Sequence, residues 1–111
     1  MMMMVPEAFG PKLHISADKR AFYEYHAAIM EPWDGPAALA FTDGVKVGAA
    51  LDRNGLRPAR YTITRSGRMV LASEAGVLDI PSEDVLEKGG LGPGKMIMVD
   101  TAAGRVKKDS E

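Results

Sequence analysis

The chain has no cysteine among its 111 residues, and that absence closes several chemistries. It excludes disulfides, thiolate zinc sites and Cys-ligated iron–sulfur clusters. It also excludes any reaction in which this chain would supply a thiolate nucleophile. Neither sign of charge is in excess: 14 Lys and Arg stand against 15 Asp and Glu, for a net charge of −1. Basic residues never run beyond adjacent pairs such as Lys107-Lys108, so the electrostatic footprint of a nucleic-acid or anionic-membrane partner is missing. No apolar stretch approaches the roughly 18 to 20 residues needed to cross a bilayer. A charged n-region, apolar core and cleavage site of a secretory signal are also lacking. Missing thiols fit a reducing compartment, and the cytoplasm is the expectation.

What remains is ordinary for a globular chain, 46% hydrophobic and 26% charged, of a length that makes one domain or a piece of one. The 12 glycines and 7 prolines cluster between apolar runs, as punctuation between short strands. Ser16 to Met30 reads as the one strong helix. Ser16 can cap it, Asp18 suits its first turn, and Pro32 stops it. Phe22, Tyr25, His26 and Ile29 fall at i, i+3, i+4 and i+7 and predict its buried face. From Pro36 onward the pattern changes to short β-runs. Ala37–Phe41 and Val45–Leu51 flank the turn signal Thr42-Asp43-Gly44, and Arg60–Thr64 and Met69–Ala72 flank Ser66-Gly67. These four runs predict one antiparallel meander. Ser82 to Glu87 suggests a short helical turn, Met96–Asp100 a late strand, and Thr101 to Gly104 a turn into Arg105-Val106-Lys107.

The fold class is therefore α+β, one main helix plus a mostly antiparallel sheet. The sheet runs carry Ala, Val, Leu and Met on both faces, and such a sheet must be covered twice. One helix cannot do that, so a partner layer is expected outside this sequence. Met2-Met3-Met4-Val5 likewise reads as a buried strand or helix end that lost what preceded it.

Two dense turn motifs flank the first hairpin, Glu31-Pro32-Trp33-Asp34-Gly35-Pro36 and Asp52-Arg53-Asn54-Gly55-Leu56-Arg57-Pro58. With them stand Met2–Ala8, Ala21-Phe22-Tyr23-Glu24-Tyr25-His26, Phe41-Thr42-Asp43-Gly44, Ala72-Ser73-Glu74, Gly76-Val77-Leu78-Asp79, Pro93-Gly94-Lys95-Met96 and Val99-Asp100-Thr101. In this order they resemble the glutaminase domain of glutamate synthase large (alpha) subunits, over nearly the whole chain. The resemblance implies that residues 1–111 are the C-terminal portion of a class II (type 2) glutamine amidotransferase domain. Such a domain is an N-terminal-nucleophile hydrolase with an αββα sandwich. It implies that in the parent an N-terminal Cys attacks the glutamine amide, with its own α-amine as base and an Asn-Gly pair as oxyanion hole. Ammonia then passes to a synthase domain with FMN and an iron–sulfur cluster, which makes glutamate from 2-oxoglutarate. Those motifs lie outside this sequence. No catalytic, cofactor-binding or metal-ligating residue is therefore assigned here, and no cofactor is expected in this chain. The implied partners are the rest of the large subunit and the small subunit. Two other readings stand beside this one: a stand-alone binding or assembly module, and a piece of another class II amidotransferase such as the amidophosphoribosyltransferase branch.

Several features invite sharper readings. Asn54-Gly55 resembles an oxyanion Asn-Gly, but its neighbours are wrong and a turn is the plain reading. Asp52, Arg53 and Arg57 suggest a local ion-pair cluster. Gly89-Gly90-Leu91-Gly92-Pro93-Gly94-Lys95 has phosphate-loop spacing, but Met96 stands where Ser or Thr would bind magnesium and a strand follows instead of a helix. His26 on the apolar helix face predicts a core histidine with satisfied hydrogen bonds. His14 lacks partners at metal spacing. Trp33 predicts packing under the helix or at the sheet edge. Glu74 predicts an ion pair with Arg57 or Arg60.

Overall fold

The computed structural model describes residues 1–7 and 14–109. One helix, α1 (Ala17–Ala27), is followed by seven strands. They are β1 (Ala38–Thr42), β2 (Lys46–Leu51), β3 (Arg60–Thr64), β4 (Met69–Ala72), β5 (Val85–Gly90), β6 (Met96–Asp100) and β7 (Arg105–Lys108). A 3-10 turn, Ser82–Asp84, leads into β5. Ser16 caps α1 as its sequence position suggests, its Oγ accepting from the Lys19 amide at 3.3 Å. The helix ends at Ala27, short of the expected Met30, and a hydrogen-bonded turn follows in which the amides of Ile29 and Met30 both donate to the His26 carbonyl.

The strands do not form the single meander expected of the first four runs. They form two antiparallel sheets, ordered β1-β2-β6-β7 and β4-β3-β5. Both predicted hairpins exist: Ala38 pairs with Leu51 and Arg60 with Ala72. The free side of β2 is taken by β6, with Ala49 opposite Ile97. The free side of β3 is taken by β5, with Thr62 opposite Lys88. These partners are distant in sequence, so local alternation carries no trace of them.

Of the helical turn expected for Ser82 to Glu87, Ser82–Asp84 is a 3-10 turn and strand β5 takes the second half. It alternates half-buried Val85, Glu87 and Gly89 with exposed Leu86, Lys88 and Gly90. Its paired glycines read as loop because glycine is depleted in strands. Gly89 is nonetheless required there, since a Cβ would sit 2.5 Å from Cζ of Tyr61, whose ring lies across it. The two sheets are linked through Glu87, which accepts from Tyr61 Oη at 2.8 Å and from Lys108 Nζ at 2.6 Å.

The core is small. Among the described residues the buried apolar set is Tyr23, Ala49, Ala50, Leu51, Ala59 and Ile97. A folded monomer of this mass exposes about 6,000 Å² and has a radius of gyration of about 13 Å. This chain exposes 7879 Å² and has a radius of gyration of 15.6 Å. Register and burial show where coverage fails. One face of the four-stranded sheet, with Ala50, Phe41 and Met96, meets α1 and the Met1–Val5 turn. On the other face Ala49, Leu51 and Ile97 are buried, but Ala38, Ala40 and Val47 are exposed. Met1–Val5 forms a hydrogen-bonded turn, with the amides of Met4 and Val5 donating to the Met1 carbonyl. It is half-buried instead of buried.

The helix also turns differently from its sequence pattern. Tyr23 is its buried residue at 4% exposure, whereas Phe22, Tyr25 and Ile29 are 38%, 68% and 65% exposed. The predicted buried face is largely exposed.

Candidate functional site

The two turn motifs meet at Asp52. It follows β2, is 5% exposed, and holds three segments by hydrogen bonds. Its amide donates to the Ala37 carbonyl at 3.0 Å, and its Oδ1 accepts from the Ala37 amide at 3.4 Å. Its Oδ2 accepts from the Asn54 amide at 3.1 Å. Its carbonyl accepts from the amides of Gly55 at 3.1 Å and Gly94 at 2.8 Å. Burial pushes the Asp52 carboxyl up, but the amides of Asn54, Ala37 and Gly55 more than offset it, so the group lies below the ordinary aspartate range. The expected cluster of Asp52 with Arg53 and Arg57 is not formed. Both arginines are exposed, and backbone donors reach the carboxylate first.

This junction also decides two of the motif questions. Gly55 has φ +61°, and a Cβ on it would come within 2.6 Å of the Pro93 ring. Asn54-Gly55 is therefore a packed turn, and its amides are committed to Asp52, leaving none for an oxyanion. In the glycine-rich segment the Gly94 amide donates to Asp52 and the Lys95 amide to the Gly92 carbonyl. Cradling a phosphate needs free, convergent amides, and these are engaged elsewhere.

Beside Asp52 an open cleft of about 450 Å³ is lined by Trp33, Asp34, Pro36, Ala37, Arg57 and Ser73, among others. It joins one carboxylate, one guanidinium, one hydroxyl and an indole, and brings both turn motifs to one surface. Trp33 is 56% exposed there, so it does not pack under the helix; it lines the cleft together with Ala38 of the edge strand β1, the sheet-edge placement that the sequence also allowed. Its segment is anchored through the backbone, the Trp33 amide donating to the Met4 carbonyl at 2.8 Å. A larger open cleft of about 740 Å³ lies over β3 and β5, lined by Arg60 and Lys88 from the strands and by Glu74 and Asp79 from the loop after β4. Ser73 lines the first cleft and Glu74 the second, so they do not act on one group. No ion pair joins Glu74 to Arg57 or Arg60. The pairs among the described residues are Lys19–Glu7, Lys95–Asp109 and Lys108–Glu87, at 2.6 to 2.7 Å.

The histidines serve neither cleft. His26 is half-buried, its ring tilted against Phe22 at 4.3 Å and edge-to-face with Tyr25 at 5.1 Å between centroids. Its Nδ1 is buried and finds no partner among the described residues, so the expected satisfaction is incomplete. His14 lines a third cleft with Glu7 and Asp109, whose carboxylates are held by Lys19 and Lys95. Acyl transfer needs a nucleophile, a base in reach and oxyanion donors. Thr64, Ser66 and Asp84 form a hydroxyl–carboxylate network, with Ser66 Oγ donating to Asp84 at 2.6 Å. That network closes the β3–β4 turn.

The model of class-II glutamine amidotransferases matches residues 1–111. The chain belongs to the class-II glutamine amidotransferases. This amidotransferase chain is similar to the NADPH glutamate synthase large chain of Bacillus subtilis, 53% identical over 99% of its length and 7% of the relative's. It is similar to a ferredoxin-dependent glutamate synthase of Synechocystis, 53% identical over 97% of the chain and 7% of the relative. It is also similar to the NADH glutamate synthase of Schizosaccharomyces pombe, 49% identical over 99% of the chain and 5% of the relative. The chain thus spans a small fraction, 5 to 7%, of the relatives it matches. The fold is α+β, of the N-terminal-nucleophile hydrolase kind that this family has. Among the described residues, no helix is long and apolar enough to cross a membrane.

Proposed function

We propose that residues 1–111 are the scaffold of a glutaminase domain of the glutamate synthase large-chain type, its C-terminal portion, and that the chain by itself does not hydrolyse glutamine. In the parent the domain releases ammonia from glutamine for reductive synthesis of glutamate from 2-oxoglutarate. The observation that carries this reading is identity of about half of all positions across 99% of the chain to a large chain of which it forms 7%. The sheet face at Ala38, Ala40 and Val47, exposed in this chain, supports it, because it offers an apolar surface for a further layer. On this reading the nucleophile, FMN and the iron–sulfur cluster belong to other parts of the parent. Its partners are those parts and the small subunit. Identity is 53% both to an NADPH-type and to a ferredoxin-dependent relative, so this segment is shared by enzymes with different electron donors.

Purified chain incubated with glutamine should release no ammonia above a buffer blank. Measured turnover would end the proposal that its nucleophile lies elsewhere. The coding DNA should continue upstream of Met1 in frame, through a Cys and a His-Asn-Gly-Glu motif. A stop codon and a ribosome-binding site close to Met1 would instead favour a stand-alone module.

A further inference from the structure

One face of the three-stranded sheet carries charges that nothing in the chain answers. Cross-strand register sets Arg60 of β3 between Ala72 of β4 and Gly90 of β5, and Thr62 between Val70 and Lys88. Residues two apart on a strand share a face, and all six line the open cleft of about 740 Å³. Arg60 therefore stands in a row whose other two members are small. A Cβ on Gly90 would meet only the Ala59 carbonyl oxygen, at 3.6 Å, so the missing side chain leaves room beside the guanidinium. Lys88 is the diagonal neighbour of Arg60, a placement in which residues lie about 7–8 Å apart. The loop after β4 turns at Gly76, with φ +77°. It lines the same cleft with the carboxylates of Glu74 and Asp79 and with Val77 and Leu78, which are 52% and 51% exposed. Two cations and two carboxylates thus border one cavity. Among the described residues none of the four makes an ion pair or a side-chain hydrogen bond.

We propose that this cleft binds a small amino dicarboxylic acid. Its two carboxylates lie on Arg60 and Lys88, its ammonium on Glu74 or Asp79, and its methylenes against Val77 and Leu78. The volume suits a small molecule, and the charges decide its class. Opposite charges that border one cavity without pairing leave a gap that a ligand of both signs bridges. A dicarboxylate without an amine, or inorganic phosphate, brings negative charge to Glu74 and Asp79 and nothing to match them. An amino acid with an apolar side chain leaves Lys88 unanswered. The Arg60 guanidinium offers the planar pair of donors that a carboxylate accepts at two oxygens, and Lys88 supplies a point charge. All the groups involved belong to this chain, so the site goes beyond the scaffold role and does not depend on a parent polypeptide. The charged groups are solvent-exposed, and exposed ion pairs are individually weak, so binding lies in the millimolar range.

The test is a titration of the isotope-labelled 111-residue chain, followed by its amide resonances at constant ionic strength. The probes are L-glutamate, glutarate, which lacks the ammonium, and L-norvaline, which lacks the second carboxylate. L-Glutamate should give saturable shifts confined to the strands and loop that line the cleft. It should bind at least about threefold tighter than either other probe, the worth of one exposed ion pair. Arg60→Gln should weaken L-glutamate by a similar factor. Arg105→Gln, which removes an exposed cation of β7 outside the cleft, should leave it unchanged. Glu74→Gln combined with Asp79→Asn should abolish the preference for L-glutamate over glutarate while glutarate still binds. All four replaced groups are exposed, and resonances remote from the cleft should stay in place and report an intact fold. Absence of saturable shifts at tens of millimolar L-glutamate overturns the proposal. So does equal affinity for the three probes, or an equal effect of Arg60→Gln and Arg105→Gln.

Discussion

Asp52 and Tyr25 reverse the usual placement of a charge and an aromatic ring. The carboxylate is 5% exposed and the aromatic ring 68% exposed. At the Asp52 junction the amides of Ala37, Asn54, Gly55 and Gly94 all find acceptors on one residue, and all of them lie within this chain. Along the α1 flank, Ala21, Tyr25, Ala28 and Ile29 are exposed to solvent. Hydrogen bonds need a few atoms at short range, and a turn can supply them. Apolar burial needs area, and area must come from whole elements. The Asp52 junction is therefore satisfied within this chain, whereas the α1 flank stands exposed.

That contrast predicts a ranking of effects. Ile97 is 3% exposed, between β2 and β7. Ile97→Ala should cost about 2–5 kcal/mol, read as a fall in the urea midpoint. A smaller loss would mean that the covered end of the sheet is looser than its burial indicates. Gly55→Ala tests the junction from its backbone side. It forces a Cβ against Pro93 at positive φ and should cost about 1–3 kcal/mol, whereas Gly67→Ala, also at positive φ but with open space around it, should cost less. Equal costs would show that Pro93 yields freely.

The junction also sets a pH dependence. The Asp52 carboxyl lies below its ordinary value of 3.8, so the folded chain binds that proton less readily than the unfolded chain does. Its stabilising contribution is complete above the unfolded value and is lost as the pH falls through the folded one. Asp52→Asn should therefore weaken the chain at pH 7 and show a shallower loss of stability on acidification below about pH 4. An unchanged acid profile in urea melts would remove Asp52 from the account. The smallest effect belongs to the flank. Tyr25→Ser and Ile29→Ser should change the stability of the isolated chain by no more than about 0.5 kcal/mol, yet reduce hydrophobic-dye binding and self-association. A large loss of stability there would mean that the flank is covered within this chain.

The sequence was most legible where the physics is local. The Ser16 cap, the turns at Gly44 and Gly67, and the bounds of β3, β4 and β6 all follow from neighbours in the chain. The reading of Asn54-Gly55 as a turn follows from the same rules. The Asp52 ion-pair cluster did not form, because backbone amides are closer than any arginine head group. The Phe22–Ile29 stripe reads as an inside face because apolar periodicity reports which residues need burial. It does not report whether their partners are present.

By itself the sequence determined the family, through rare residue combinations spread along the chain, and the local elements, because caps, turns and alternation act over a few residues. It also determined that no thiolate chemistry can originate here. Only the tertiary structure decided that the strands divide into two sheets, that Asp52 ties the turn motifs together, and that α1 buries Tyr23 in place of the Phe22–Ile29 stripe. Each of those depends on which distant surfaces actually meet, and such pairings are settled by the geometry of the folded chain rather than by the character of any one segment.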